Sequence, residues 1–292
     1  MFKGNVMRKI LFPFERDNPV YREAYIYAIK LARILYAELV VLNAFKVEVG
    51  NDITLEKYEK LKKNNWFEAY NAISRFNEYF LEKHAKTDTD LKIRIDYRFV
   101  NGVFVDEIRN IAIEDAVDLI VLPISDKKDF NKRQLKIIED NVFEKNRISL
   151  LVVPFGCEFR PVRNIVFATD LKKLNNYQQY LQDVINYAGL FNSNIHFIHI
   201  SSKEKAEEWH NSDTYRMVME AIEKNKRHTF KSLHGRRIIE SVNQYVEESK
   251  ADILVVVKHQ HYFLESIFHE SVSNEISLKS KVPVLLIREK RL

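Results

Sequence analysis

Residues 252–287 read Asp252-Ile-Leu-Val-Val-Val257, then Lys258-His-Gln-His-Tyr-Phe263, an amphipathic segment to about Lys279, and Val282-Pro-Val-Leu-Leu-Ile287. Two short apolar runs rich in β-branched residues flank a segment with helical spacing, which predicts a βαβ unit. In an open parallel sheet the ligand crevice lies just past the C-terminal end of a strand. The loop from Lys258 is therefore where a ligand is expected. A nucleotide there would call for glycines, because only they let backbone N–H groups approach phosphates closely. The loop carries none.

Upstream, the same alternation of elements runs back to the start. Strands are predicted at 9–14, 38–44, 91–99, 118–122 and 148–153. Helices are predicted at 20–35, 54–84 and 104–115, with another ending near Asn146 after the polar segment 125–133. Tyr58, Trp66, Tyr70, Ile73, Phe76 and Phe80 form an apolar stripe on the long helix, read as core packing. The pattern then restarts. Ile165-Val-Phe-Ala-Thr169 answers Ile10-Leu-Phe-Pro-Phe14, and 194–200 answers the second strand. Helices at 174–190 and 204–227 and a short strand at 228–233 follow. Gly235 precedes a helix as Gly102 does, Asp252 answers Asp118, and Val282 answers Ile148.

The offsets are regular: 155 residues from Ile10 to Ile165, 133 from Gly102 to Gly235, and 134 from Asp118 to Asp252. The chain is thus an internal duplication of an α/β unit, with expected domains at 1–156 and 157–292. The short linker 154–161 implies that the two pack together.

Composition sets outer bounds. The chain has 292 residues, 46% of them apolar and 12% aromatic, which suits packed cores. The formal net charge of +5 is spread over both halves, without a basic run interleaved with aromatics, so no nucleic-acid partner is expected. No apolar run is long enough to span a membrane. The opening Met1–Met7 lacks the apolar core of a secretory leader, and Met7 is an alternative start. One cysteine, Cys157, excludes an internal disulfide. A cytoplasmic protein is expected.

The ordered motifs resemble a tandem universal stress protein, with two UspA-like domains in one chain. Lys9-Ile-Leu-Phe-Pro-Phe-Glu15 is similar to the family's opening Ile-Leu-Val-Pro-x-Asp, and Arg163-Asn-Ile-Val-Phe-Ala-Thr-Asp170 repeats it with the Asp kept. Phe197-Ile-His-Ile200 resembles the family's Leu-Leu-His-Val. Val117-Asp-Leu-Ile-Val121 and Ala251-Asp-Ile-Leu-Val255 resemble its Ala-Asp-Leu-Ile-Val strand, and Val282–Ile287 its closing strand. The resemblance implies an α/β fold: two tandem Rossmann-like domains of the adenine nucleotide alpha hydrolase-like type. Each would be a five-stranded, mainly parallel sheet with helices on both faces. It further implies a non-enzymatic role in the stress response, and an internal pseudo-dimer paired through 148–153 and 282–287. Pairing there would cover an aggregation-prone edge. A further homodimer and a protein partner belong to the same expectation.

ATP-binding members of that family resemble one another in a G-x2-G-x9-G-(S/T) loop after the fourth strand. Laid on the second half, the glycine positions fall on Val257, Gln260 and Glu270, with Ser271 in the final slot. In the first half no glycine lies between Gly102 and Gly156, and Ile137 takes the Ser/Thr slot. Glu270 would set a negative charge against the γ-phosphate. The resemblance therefore implies the branch that binds no ATP, and no cofactor is expected. The alternative is a sensor for a nucleotide or anionic metabolite at Asp170, Lys258, His259, Ser271 and Ser273. Helix capping is the plainer reading of Asp170, Ser271 and Ser273.

His259, His261 and His269, with Glu265 or Glu270 near them, invite a metal reading, but zinc needs three or four convergent ligands, and these histidines are read as polar residues of a surface loop. His196 and His199 lie three apart on a strand, face opposite sides, and are read as structural. There is no G-x-S-x-G elbow, nor the His-x-Gly-His or Ser-Gly-Gly-x-Asp signatures of nucleotidyl-transfer and ATP-pyrophosphatase relatives. Enzymatic activity is not expected.

Overall fold

A computed structural model describes residues 8–47, 53–84, 93–125, 148–169, 177–201, 213–224, 227–234, 238–258 and 280–288. The chain divides into two compact units, Val6–Ile148 and Ser149–Leu292. The predicted helix ending near Asn146 and the amphipathic segment ending near Lys279 lie outside the described residues.

In the first unit, β1 (Lys9–Pro13), β2 (Glu38–Phe45), β3 (Ile95–Asn101) and β4 (Leu119–Ile124) form a parallel sheet in the order β3-β2-β1-β4. The central strands are apolar runs because both faces of a parallel sheet are covered. Ile10, Leu11 and Phe12 have no exposed surface at all. The strands are linked by α1 (Pro19–Leu35), α2 (Leu55–His84) and α3 (Phe104–Glu114). Asn18 caps α1 by accepting the Tyr21 amide at 3.0 Å, and Pro19 fills the first position, where no N–H is needed.

Right-handed crossovers place α1 and α2 on one face of this sheet and α3 on the other. The Tyr25 ring of α1 accordingly lies 4.7 Å from Phe76 of α2. Beneath them Tyr25 donates to Asn77 Oδ1 at 3.1 Å, and Asn77 donates to the Tyr97 hydroxyl at 2.9 Å. Burial, helped by Tyr97, pushes the Tyr25 phenol well above its ordinary value.

The α2 stripe divides in two. Ile73, Phe76 and Phe80 are buried, whereas Trp66 and Tyr70 are 38% and 47% exposed and stack on one another 5.4 Å apart beside Phe99. Position explains the difference. Ile73, Phe76 and Phe80 pack inward, Phe76 against Tyr25 and Phe14, whereas Trp66 and Tyr70 lie against Phe99 of β3, the last strand of the sheet. Trp66 and Tyr70 are therefore surface residues beside the edge strand, not core.

The second unit contains β5 (Ser149–Pro154), β6 (Asn164–Thr169), β7 (Asn194–Ser201), β8 (Thr229–His234), β9 (Ile253–Lys258) and β10 (Val284–Arg288). Their order is β5-β10-β9-β6-β7-β8. All pair in parallel except β5 with β10, which run antiparallel with Leu151 opposite Leu285. The helices are α4 (Tyr177–Phe191), α5 (Asp213–Lys224) and α6 (Ile238–Glu248). Each buries one stripe: Leu181, Val184 and Ala188, then Val218 and Ala221, then Val242 and Val246.

The duplication extends to backbone detail. Left-handed residues end the first helix of each repeat, Tyr36 (φ 52°) and Asn192 (φ 53°). They also follow the third helix of each, Ala116 (φ 49°) and Lys250 (φ 50°). None is glycine, so each carries a small conformational cost that both repeats retain.

Candidate functional site

The crevice of each sheet lies where neighbouring strands send their chains in opposite directions. In the first unit that point is past the C-terminal ends of β1 and β4. The chain leaving β1 is pinned: Phe14 donates its amide to Leu42 O at 2.6 Å, and the buried Asn43 donates to Phe14 O at 2.7 Å. Glu15, the counterpart of the family's Asp, follows directly. Its carboxylate accepts the Tyr21 hydroxyl at 2.9 Å and the Arg16 guanidinium at 3.0 Å. Next to it Asp17 holds Arg22 through two bonds, 2.7 and 3.0 Å, with Arg22 lying over the Tyr79 ring. Among the described residues, Glu15 and Arg16 form one ion pair here and Asp17 and Arg22 another. At the end of β3, a Cβ on Gly102 would collide with the Glu107 carboxylate, which folds back over it.

In the second unit the equivalent point lies between β6 and β9, which are neighbours with Ala168 opposite Val256. Asp170 is the residue after β6, and Lys258 is the last residue of β9, opposite Arg288 of β10. Two candidate segments thus leave adjacent strand ends. Asp170, His259, Ser271 and Ser273 themselves lie outside the described residues, as do His261 and His269. Among the described residues no cluster of three or more His, Cys, Asp or Glu side chains could hold a metal.

The strand histidines serve the sheet. His196 meets Thr229 Oγ1 on the neighbouring strand at 2.8 Å and packs edge-on against Tyr245, while His199 is buried. In the sequence His228 marks only the start of a strand. Its Nδ1 accepts the Ile195 amide at 3.1 Å, in place of the backbone acceptor that Arg94 O provides to Leu39 in the first repeat. Burial pulls the His228 pKa down, with Arg227 and His196 adding to it, and burial does the same for His196.

Asp118 and Asp252 were legible only as repeated motif residues. Each caps the start of its sheet. Asp118 Oδ2 accepts the Arg8 and Lys9 amides at 2.7 and 3.1 Å; Asp252 Oδ2 accepts the Arg163 and Asn164 amides at 2.7 and 2.9 Å. Both stand at the end of the sheet away from the crevice, so their role is structural.

Residues 161–288 match the model of the Universal stress protein family. A universal stress protein from Archaeoglobus fulgidus DSM 4304 has a similar structure, with a TM-score of 0.67 at 14% identity, over 97% of this chain and 99% of that one. A protein of Pseudomonas aeruginosa UCBPP-PA14 described as a universal stress protein has a TM-score of 0.60 at 13% identity, covering 97% and 93%. The cytoplasmic domain of a prokaryotic cation chloride cotransporter has a TM-score of 0.56 at 10% identity, covering 97% and 96%. No curated protein matches the sequence. These likenesses establish the fold across the chain, and the match to the Universal stress protein family covers residues 161–288, somewhat less than half of it.

Proposed function

We propose that this chain is a non-catalytic universal stress protein that acts in the stress response through a protein partner and binds no ATP. The carrying observation is the absence of glycine from both loops that would hold phosphate. The connection from β4 to β5 spans 125–148 and that from β9 to β10 spans 259–283, and neither contains a glycine. Glycine is what lets backbone amides approach a triphosphate closely, and neither connection offers one. In the first repeat the Glu15 carboxylate is also engaged by Tyr21 and Arg16, so binding a ribose would cost those contacts.

The same reading makes the chain an internal pseudo-dimer. β5 closes the first repeat in sequence and β10 closes the second, and the two strands pair antiparallel. Each would otherwise be an apolar edge open to other chains. A cytoplasmic location belongs to this reading; no described helix is long and apolar enough to cross a membrane.

One observation favours a second reading, a sensor of a nucleotide or other anionic metabolite. The strands leading to Asp170 and Lys258 are adjacent in the second unit. Thermal melting with millimolar ATP, ADP and AMP separates the two. A ligand at 100 times its dissociation constant adds about 2.7 kcal/mol, which shifts the midpoint of a large domain by several degrees. The first reading expects no shift. A shift abolished by Asp170→Ala would establish the sensor instead.

A further inference from the structure

A cavity lies at the end of the second unit opposite the crevice, where β7 and β8 begin. It is a cleft of about 390 Å³ between α4 and α5, continuing to Arg227 and His228. That volume suits a small molecule. Leu181 and Ile185 of α4 and Met217 of α5 supply its apolar walls. Lys224 and Arg227 stand exposed on its rim, and Arg227 is held there by donating to Asn192 Oδ1 at 2.6 Å. Glu220 shares the rim, which leaves one net positive charge among the described lining residues. Such a balance suits a single anionic group and disfavours a polyphosphate.

Gly189 makes the cleft more than a gap between helices. It lies in the last turn of α4 with helical backbone, where glycine weakens a helix relative to alanine. Neither sterics nor dihedral angle requires it: a Cβ there would meet nothing within 4 Å. In the first repeat the same position, identified by the bond from Tyr36 N to Arg33 O as by that from Asn192 N to Gly189 O, holds Arg33. The fold accepts a long side chain at this place, and the second repeat keeps the cleft wall bare. We propose that this cleft binds a small amphipathic carboxylate, its apolar body against Leu181, Ile185 and Met217 and its carboxylate at Lys224 and Arg227.

Octanoate, 1-octanol and octylammonium test this on the full chain, by calorimetric titration below their aggregation concentrations. Octanoate should bind saturably at one site, at least tenfold more tightly than octylammonium, with octanol between them. Gly189→Leu should weaken octanoate at least tenfold, while Gly189→Ala, a control for folding, leaves it unchanged. Replacing Lys224 and Arg227 by Gln should abolish the preference for octanoate over octanol, which tests the assignment even if Gly189→Leu fails to fold. Absence of saturable octanoate binding would overturn the proposal. So would equal affinity for octanoate and octylammonium, or binding untouched by both sets of variants.

Discussion

The Asp252 carboxylate accepts the Arg163 amide at 2.7 Å, and 134 residues earlier Asp118 accepts the Arg8 amide at the same distance. Each aspartate also takes the next amide and so satisfies two donors at the entry to a central strand. Replacing Asp252 with Ala leaves both short of this acceptor. The expected cost is about 1–3 kcal/mol, read from urea denaturation, and Asp252→Asn, which keeps one oxygen, should cost less. Asp118→Ala should behave alike.

The β5–β10 pairing predicts where the chain can be cut. A fragment of residues 149–292 retains β5 against β10, with Leu151 opposite Leu285. A fragment of residues 157–292 leaves β10 as an apolar edge. The first should unfold at a higher urea concentration than the second, because it keeps the β5–β10 ladder. Equal behaviour would mean that β5 contributes little to the unit.

The divided α2 stripe predicts unequal costs along one helix. Phe76→Ala empties a buried site that touches Phe14 and Tyr25, and should cost about 3–5 kcal/mol. Trp66→Ala removes a larger side chain that is 38% exposed, and should cost clearly less. Chemical denaturation of the two variants gives the comparison directly.

His228 predicts a pH dependence. Its folded pKa lies below the ordinary value of about 6.5, because burial, Arg227 and His196 all oppose the charged ring. The unfolded chain takes up that proton first as the pH falls. Stability should therefore be full above about pH 6.5 and decline as the pH falls towards and through the depressed folded value, by at most about 1.4 kcal/mol per pH unit for one histidine. His228→Gln should flatten the decline in urea midpoints between pH 7.5 and 5, with His196 contributing what remains.

Period and recurrence made the fold legible. Apolar β-branched runs gave the strands to within a few residues, and the repeat offsets paired Asp118 with Asp252 without showing that each caps the start of its sheet. What escaped were properties set by partners distant in sequence. Whether Trp66 is core or surface depends on where the sheet ends, which the spacing along α2 does not carry. The bond from His228 to Ile195 joins neighbouring strands, and a lone histidine gives no sign of it. The site was legible mainly as missing glycines. The engagement of Glu15 by Tyr21 depends on the turn that starts α1. The cleft beside Gly189 is set by how α4 packs on α5, and a lone glycine in a helix gives no sign of it.

Equilibrium dialysis of the full chain against labelled ATP with magnesium tests the central claim most directly. The account predicts no saturable binding up to millimolar ATP. Stoichiometric binding with a micromolar dissociation constant, lost on Asp170→Ala, would contradict it and show that a glycine-free loop can still hold the nucleotide.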